Sequence, residues 1–576
     1  MLSDFEPDKR YGPLLDDLIN LQKHSWPQVP NPSRNEIRQA IYSLSDPESV
    51  TYMTFATILA MERTPACNHL ALLASDACIF PACIKLLRKY CHVERKGLFD
   101  HAYGLLCFQT IVLSTQVAIL LQTEQLDSVL TTMANQPPDS SVFPLLCGRI
   151  LQAEMNARFG PRRRGTTWLL GWYDDELVGR QWKSCLKQTG GFTIHDAKFL
   201  VEQTWSARAD FLTVATVAEK RYYGWGSFLH LVCTILSYNY GIESNRMGEA
   251  PVPQTFDQRQ CWIHFVDIGI RYALFSSEAE DALMPAFLEN TPNYSKPWKV
   301  AGTRSTLGAL DSNRITQAFL TKLQARPKLH VLFSSMLFSY TCENLERTGA
   351  GNTLSQVFHS ILERSWTEVI RVQELNSEQL GDLLGHILYL LLTIMSLLTS
   401  NRGQAQYMAE VISDDTFVEF LGRFIFSPLL VSEGALHAYI TTPEQSSLAK
   451  QLIVLGASLK TFYLHNLGPG YFFAWYKITQ HLDSCSLVLN MLQPFRQSHT
   501  YIHNWRKCWS TFGSSLTLEE RFYPTVECGY PRCAAPNSAL LWECSACGSK
   551  WYCSQRCQKS DWIGQPNPHM RRCKSL

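Results

Sequence analysis

Eight residues near the end of the chain carry ligand chemistry at short separations: Cys528 and Cys533, Cys544 and Cys547, Cys553 and Cys557, and His569 and Cys573. Thiolate sulfur and imidazole nitrogen are donors that Zn2+ prefers, and the ion takes four of them in a tetrahedron. Four pairs therefore supply two closed sites. Separations this short let one turn, or one turn of helix, present both members of a pair to one metal. Cys553 and Cys557 stand at i, i+4, as do His569 and Cys573, so each pair lies on one helical face.

Other uses of the sulfur fit less well. A disulfide framework needs an oxidising compartment, and the seven cysteines from Cys528 to Cys573 leave one over while a histidine makes the eighth member. A redox C-x-x-C motif sits in a βαβ context, whereas "CSAC" at 544–547 is flanked by further pairs. A catalytic zinc has three protein ligands and an open position for water. Eight ligands for two ions leave none open, and the H-x-E element of the zinc deaminases is missing. The pattern predicts two structural zinc ions.

These ligands follow a long region of another character. The chain has 576 residues, 46% apolar and 18% charged, a folding composition for roughly two to four domains. Its 52 basic and 51 acidic residues leave a net charge of +1, which does not suggest a whole-surface polyanion binder. "MLSDFEPDKRYGPLLDD" has neither the apolar run of a secretory signal nor the Arg-rich, acid-poor pattern of a transit peptide. The expected location is intracellular, cytoplasmic or nuclear, where thiols stay reduced.

Residues 1–515 read as successive amphipathic helices. "SRNEIRQAIYSL" opens with Ser33 and Glu36 at capping-box spacing, with Ile37, Ile41 and Leu44 on one face. Asp46 and Pro47 are expected as cap and first residue of the next helix, and Thr442 and Pro443 of a later one. Period-2 alternation is scarce. The expected class is mainly α, either an armadillo- or HEAT-like solenoid or an irregular helical domain, since no strict repeat period is found. Residues 243–260 and 290–313 read as exposed segments, the second a linker between two helical halves; 516–527 reads as a short linker to the zinc-binding region, 528–573. Leu383–Ser400 lacks Asp, Glu, Lys and Arg and is long enough to span a membrane, but a helix apolar all round also suits a large α core. It is expected to be buried, with no membrane partner.

The order C-x4-C-x10-C-x2-C-x5-C-x3-C-x11-H-x3-C, with "YCS" at 552–554 and "CQKSDW" at 557–562, resembles a MYND-type zinc finger. The whole layout, a helical region with a C-terminal finger, resembles fungal MYND-finger proteins. The resemblance implies a cross-brace, with Cys528, Cys533, Cys553 and Cys557 on one zinc and Cys544, Cys547, His569 and Cys573 on the other. The sequence departs from the common pattern in the wider first pair and in "IGQPNP" (563–568), which lengthens the gap before His569.

The resemblance also implies a protein-interaction module that docks proline-containing peptides through Ser545, Gln558 and Trp562, with a role in transcriptional regulation. Independently, Gln558 and Trp562 share a helical face, Trp offers a flat surface to proline, and Gln can hydrogen-bond an extended backbone. Trp562 could instead pack against the small zinc core. A second function class is nucleic-acid binding: Arg532, Lys550, Arg556, Lys559, Arg571, Arg572 and Lys574 outnumber Glu543 and Asp561, and Trp542, Trp551 and Tyr552 could stack on bases. The run Arg162–Arg164 is a further candidate contact, though such runs are commonly just solvated. An enzyme is not expected. Of the protein methyltransferase domains that accompany such fingers no motif is found, nor is HExxH, G-x-S-x-G or a Walker A loop.

Overall fold

The computed structural model describes residues 8–15, 31–63, 65–150, 193–217, 256–281, 309–325, 331–348, 353–370, 415–426, 469–516, 528–530, 542–547, 550–563 and 569–573, with short gaps within these spans and a few isolated positions besides. The described chain is mainly helical, apart from one small hairpin near the C-terminus. It divides into two compact units, Met1–Thr306 and Leu307–Leu576.

The first unit begins with α1 (Arg34–Ser43), entered through the Ser33/Glu36 capping box and burying Ile37 and Ile41. The next helix, α2 (Tyr52–Leu59), starts later than the Asp46–Pro47 signal predicts, with Thr51 at the N-cap. Asp46 instead closes a turn: its carboxylate accepts the Glu48 N–H at 3.2 Å and its carbonyl the Ser49 N–H at 3.2 Å. An Asp ahead of Pro serves a turn as readily as a helix cap.

Helices α2 and α3 (Ile79–Arg88) pack on α4 (Ala102–Gln122). This central helix is buried on every side, including the polar Thr110, Ser114, Thr115 and Gln116. Thr110 and Thr115 satisfy their hydroxyls on the carbonyls of Leu106 and Ile111, each at 2.8 Å. The first N–H groups of α4 have no helical partner. The N-terminal segment supplies acceptors for two of them, as Tyr103 N–H donates to the Tyr11 carbonyl and Ala102 N–H to the Pro13 carbonyl, both at 3.0 Å. Ala102–Leu121 is apolar and long enough to cross a membrane, yet 94% of it is buried inside the fold, as expected of a core helix. Of the Leu383–Ser400 stretch, Leu383, Ile387 and Leu390 are described and all are buried. Further along, α5 (Leu126–Ala134) follows α4, and α6 (Ile194–Ser206) packs on α8 (Phe256–Ala273) beside α7 (Arg208–Val217).

In the second unit α9 (Ala309–Ala325), α10 (Val331–Thr348), α11 (Leu354–Ile370), α12 (Asp415–Phe426), α13 (Pro469–Met491) and α14 (Arg496–Ser515) each pack on the next. A ladder of buried rings joins four of them: Phe319, Phe338, Phe358 and Phe417 follow one another at centroid spacings of 6.5, 6.3 and 6.1 Å. The Tyr501 hydroxyl of α14 donates to the Ile425 carbonyl at the end of α12, at 2.9 Å, satisfying an orphan helix acceptor.

Helices α8 and α9 correct two expected loops, since Phe256–Gln260 and Ala309–Asn313 are helical. Asp257 and Asp311 in their first turns favour helix through the macrodipole. The Arg162–Arg164 run, the Thr442–Pro443 start, and residues 243–255, 290–308 and 519–527 lie outside the described residues.

Gly104 shows how tightly α4 is seated. A Cβ there would stand 2.0 Å from the Leu98 carbonyl oxygen and 3.0 Å from the Tyr90 ring. Gly104→Ala is expected to destabilise the first unit by about 1–3 kcal/mol through overpacking. Gly148→Ala, whose Cβ would meet nothing within 4 Å, is the control. Thermal unfolding of both variants checks this, with a lower Tm for Gly104→Ala alone.

Candidate metal centre

Among the described residues, the turn of a hairpin and two helices bring most of the ligands into place. Strands β1 (Trp542–Glu543) and β2 (Trp551–Tyr552) pair antiparallel, with Trp542 opposite Tyr552. Between them Cys544–Cys547 forms a turn in which Cys544 N–H donates to the Lys550 carbonyl at 2.8 Å and Cys547 N–H to the Cys544 carbonyl at 3.3 Å. Ser554 then starts α15 (Gln555–Ile563): its Oγ accepts the Cys557 N–H at 3.1 Å, as an N-cap does. Last, α16 (His569–Arg572) carries the final pair, closed by the Cys573 N–H on the His569 carbonyl at 2.7 Å.

Cys544, Cys547, His569 and Cys573 converge, their ligand atoms all within 4.8 Å of one another. The Sγ atoms of Cys544 and Cys573 are 3.7 Å apart, and Cys547 Sγ lies 3.5 Å from His569 Nε2. A tetrahedral zinc with Zn–S near 2.3 Å and Zn–N near 2.0 Å requires edges of about 3.8 Å between sulfurs and about 3.5 Å from sulfur to nitrogen. The donor set therefore fits zinc in identity, number and spacing, and its four ligands complete the tetrahedron. The His569 ring is held edge-on between Trp562, at 5.8 Å, and Tyr552, at 6.4 Å.

Of the other expected ligand set, Cys528 is buried and Cys557 half-buried, both in the small core around Cys544 and Tyr552. Cys533 and Cys553 lie outside the described residues. The three expected peptide contacts fall in different settings. Ser545 is exposed at the tip of the Cys544–Cys547 turn. Gln558 is half-buried, its Nε2 donating to the Glu543 carbonyl at 3.0 Å. Trp562 is also half-buried and packs against the zinc-ligand core.

Charge counting along the sequence misses one arrangement. Asp561, 3% exposed, accepts hydrogen bonds from the Tyr552 hydroxyl at 2.8 Å and from Lys550 Nζ at 3.1 Å. Burial and the bond to Asp561 push the Tyr552 phenol up, so it stays a donor. Lys550 thus serves the interior of the finger rather than a basic surface. The available signal was the i, i+4 relation of Cys557 and Asp561, which turns the carboxylate toward the ligand side of the helix.

Gathering the sulfurs has a consequence for proton competition. The Cys573 thiol is pushed up to about 12 by burial, then by hydrogen bonds to Cys547 and Cys544. Zinc takes thiolates, so loading displaces these protons. Apparent zinc affinity is expected to fall by more than about a hundredfold from pH 8 to pH 6 in a competition titration with a chromogenic chelator. His569→Ala is expected to lower the zinc content of the purified chain by one ion, read by atomic absorption; unchanged stoichiometry would contradict the ligand assignment.

Comparison with known proteins bears on this segment alone. No curated protein and no solved structure matches the chain. The MYND finger family model matches residues 528–573, which begin and end on the first and last cysteines of the ligand series. MYND fingers bind zinc and mediate protein–protein interactions. Residues 528–573 are a MYND finger, carried behind a long helical region.

Proposed function

We propose that the protein is an intracellular, non-enzymatic adaptor in which the MYND finger holds two structural zinc ions and docks a proline-containing peptide segment of a partner, with a role in transcriptional regulation. The helical region is the scaffold and offers further partner surfaces. The observation that carries this reading is the ligand cluster itself: four protein donors complete the coordination of the metal and leave no position for a substrate or an attacking water. The metal's contribution is to shape a surface.

That surface has a definite candidate. On α15, Gln558 and Trp562 lie at the margin between the side bearing Cys557 and Asp561 and the side exposing Arg556, Lys559 and Ile563. An aromatic ring at such a margin can pack inward against the core and still lend an edge to a proline. Ser545, exposed on the adjoining turn, adds a hydroxyl at the other end. The nucleic-acid alternative is weakened because Lys550 is committed to Asp561 and to the Gly529 carbonyl.

The test is fluorescence anisotropy of a labelled PxLxP-type peptide with the full chain. Trp562→Ala is expected to weaken binding about tenfold or more, as loss of an aromatic hot spot does. Binding is expected to depend weakly on salt, whereas a steep loss between 50 and 200 mM would favour phosphate contacts. Undiminished peptide binding by a Trp562→Ala chain that retains its zinc would sink the groove assignment.

A further inference from the structure

Lys550 touches three parts of the finger at once. Its carbonyl accepts the Cys544 N–H at 2.8 Å, which fixes the first turn of the described ligand cluster. Its Nζ donates to the Gly529 carbonyl at 3.2 Å, one residue beyond Cys528. The same Nζ pairs with Asp561 at 3.1 Å, on the helix that carries Cys557. Gly529 is held from its other side too, its N–H donating to the Trp551 carbonyl at 2.8 Å. There is little slack at this junction: a Cβ on Gly529 would meet Lys550 Cδ, Trp551 O and Tyr552 Cε1, each at 3.2 Å.

We infer that Lys550 and Asp561 form a bolt between the two metal half-sites, so that the finger gains and loses its zinc ions as one unit. The inference rests on the two-ion reading of the eight ligands. Each half-site needs the other's backbone in place. Cys544 is positioned by a carbonyl of Lys550, and Lys550 is positioned by the Cys528 knuckle and the Cys557 helix. Electrostatics work in the same direction. Thiolate-rich zinc sites carry excess negative charge, and a buried Asp561 beside them adds more. The Lys550 ammonium is the cation that contacts both the carboxylate and the knuckle, and its removal leaves Asp561 buried without its ionic partner. Tyr552, fully buried in β2, retains only a neutral hydrogen bond to that carboxylate. Lys550 and Asp561 are positioning residues in this account; neither contacts the metal.

The experiment is native mass spectrometry of the full chain during titration with a zinc chelator, counting chains with two, one and no ions. The wild type is expected to pass from two ions to none with the one-ion form scarce throughout. In Lys550→Met and in Asp561→Asn the one-ion form is expected to accumulate, with the two loss midpoints separated about fivefold or more. Lys550→Arg, which keeps the cation, is expected to restore concerted loss. A change in general stability alone would shift both midpoints together. Coincident midpoints in Lys550→Met and Asp561→Asn would overturn the inference, as would a wild type that releases its ions in two well-separated steps. A wild type that binds one ion in total would overturn the two-ion reading on which the inference stands.

Discussion

Metal–ligand bonds do for the finger what buried apolar area does for the helices. Among its described residues the buried side chains are Cys528, Cys544, Tyr552, Asp561 and His569, three of them expected ligands and one a carboxylic side chain. So little apolar burial cannot offset the cost of ordering the chain, at roughly 1–2 kcal/mol per residue for the backbone alone. Structural zinc contributes on the order of 10 kcal/mol or more at such sites, and folding and metal binding become one event. Every other feature of the finger follows from the need to bring sulfurs together: the turn between the strands, the Ser554 cap, and the single helical turn from His569 to Cys573. Trp562 and Gln558 occupy their positions because α15 must be there for the metal.

The helical units solve the same problem by other means. In the first, a long apolar helix is wrapped by its neighbours and its N-terminal donors are taken up by carbonyls of the N-terminal segment. In the second, a ladder of phenylalanines runs through successive helices. Neither device involves the metal.

How much of this was legible beforehand depends on how local each signal is. The ligand pairs were legible because metal chemistry fixes residue type and short separation together, and the structure brings Cys544, Cys547, His569 and Cys573 to one point. The Ser33/Glu36 capping box was legible for the same reason. Asp46 misled because a turn and a helix start draw on the same side chain, and only the chain beyond selects between them. That the apolar run Ala102–Leu121 is a core helix is settled by packing, not by its sequence, and within it the Thr110 and Thr115 hydroxyls are satisfied on the helix's own carbonyls. The Lys550–Asp561 pair is invisible to charge counting: its partners are 11 residues apart and meet only once the hairpin and α15 have folded.

X-ray absorption at the zinc edge of the purified full-length chain tests the central claim most directly, because it reports the donors themselves. With seven cysteines and one histidine shared by two ions, the spectrum is expected to show a sulfur shell near 2.3 Å and a minor imidazole contribution, the two in a ratio of about seven to one. An oxygen shell at a stoichiometric fraction, or coordination by sulfur alone, would contradict a closed pair of sites completed by His569.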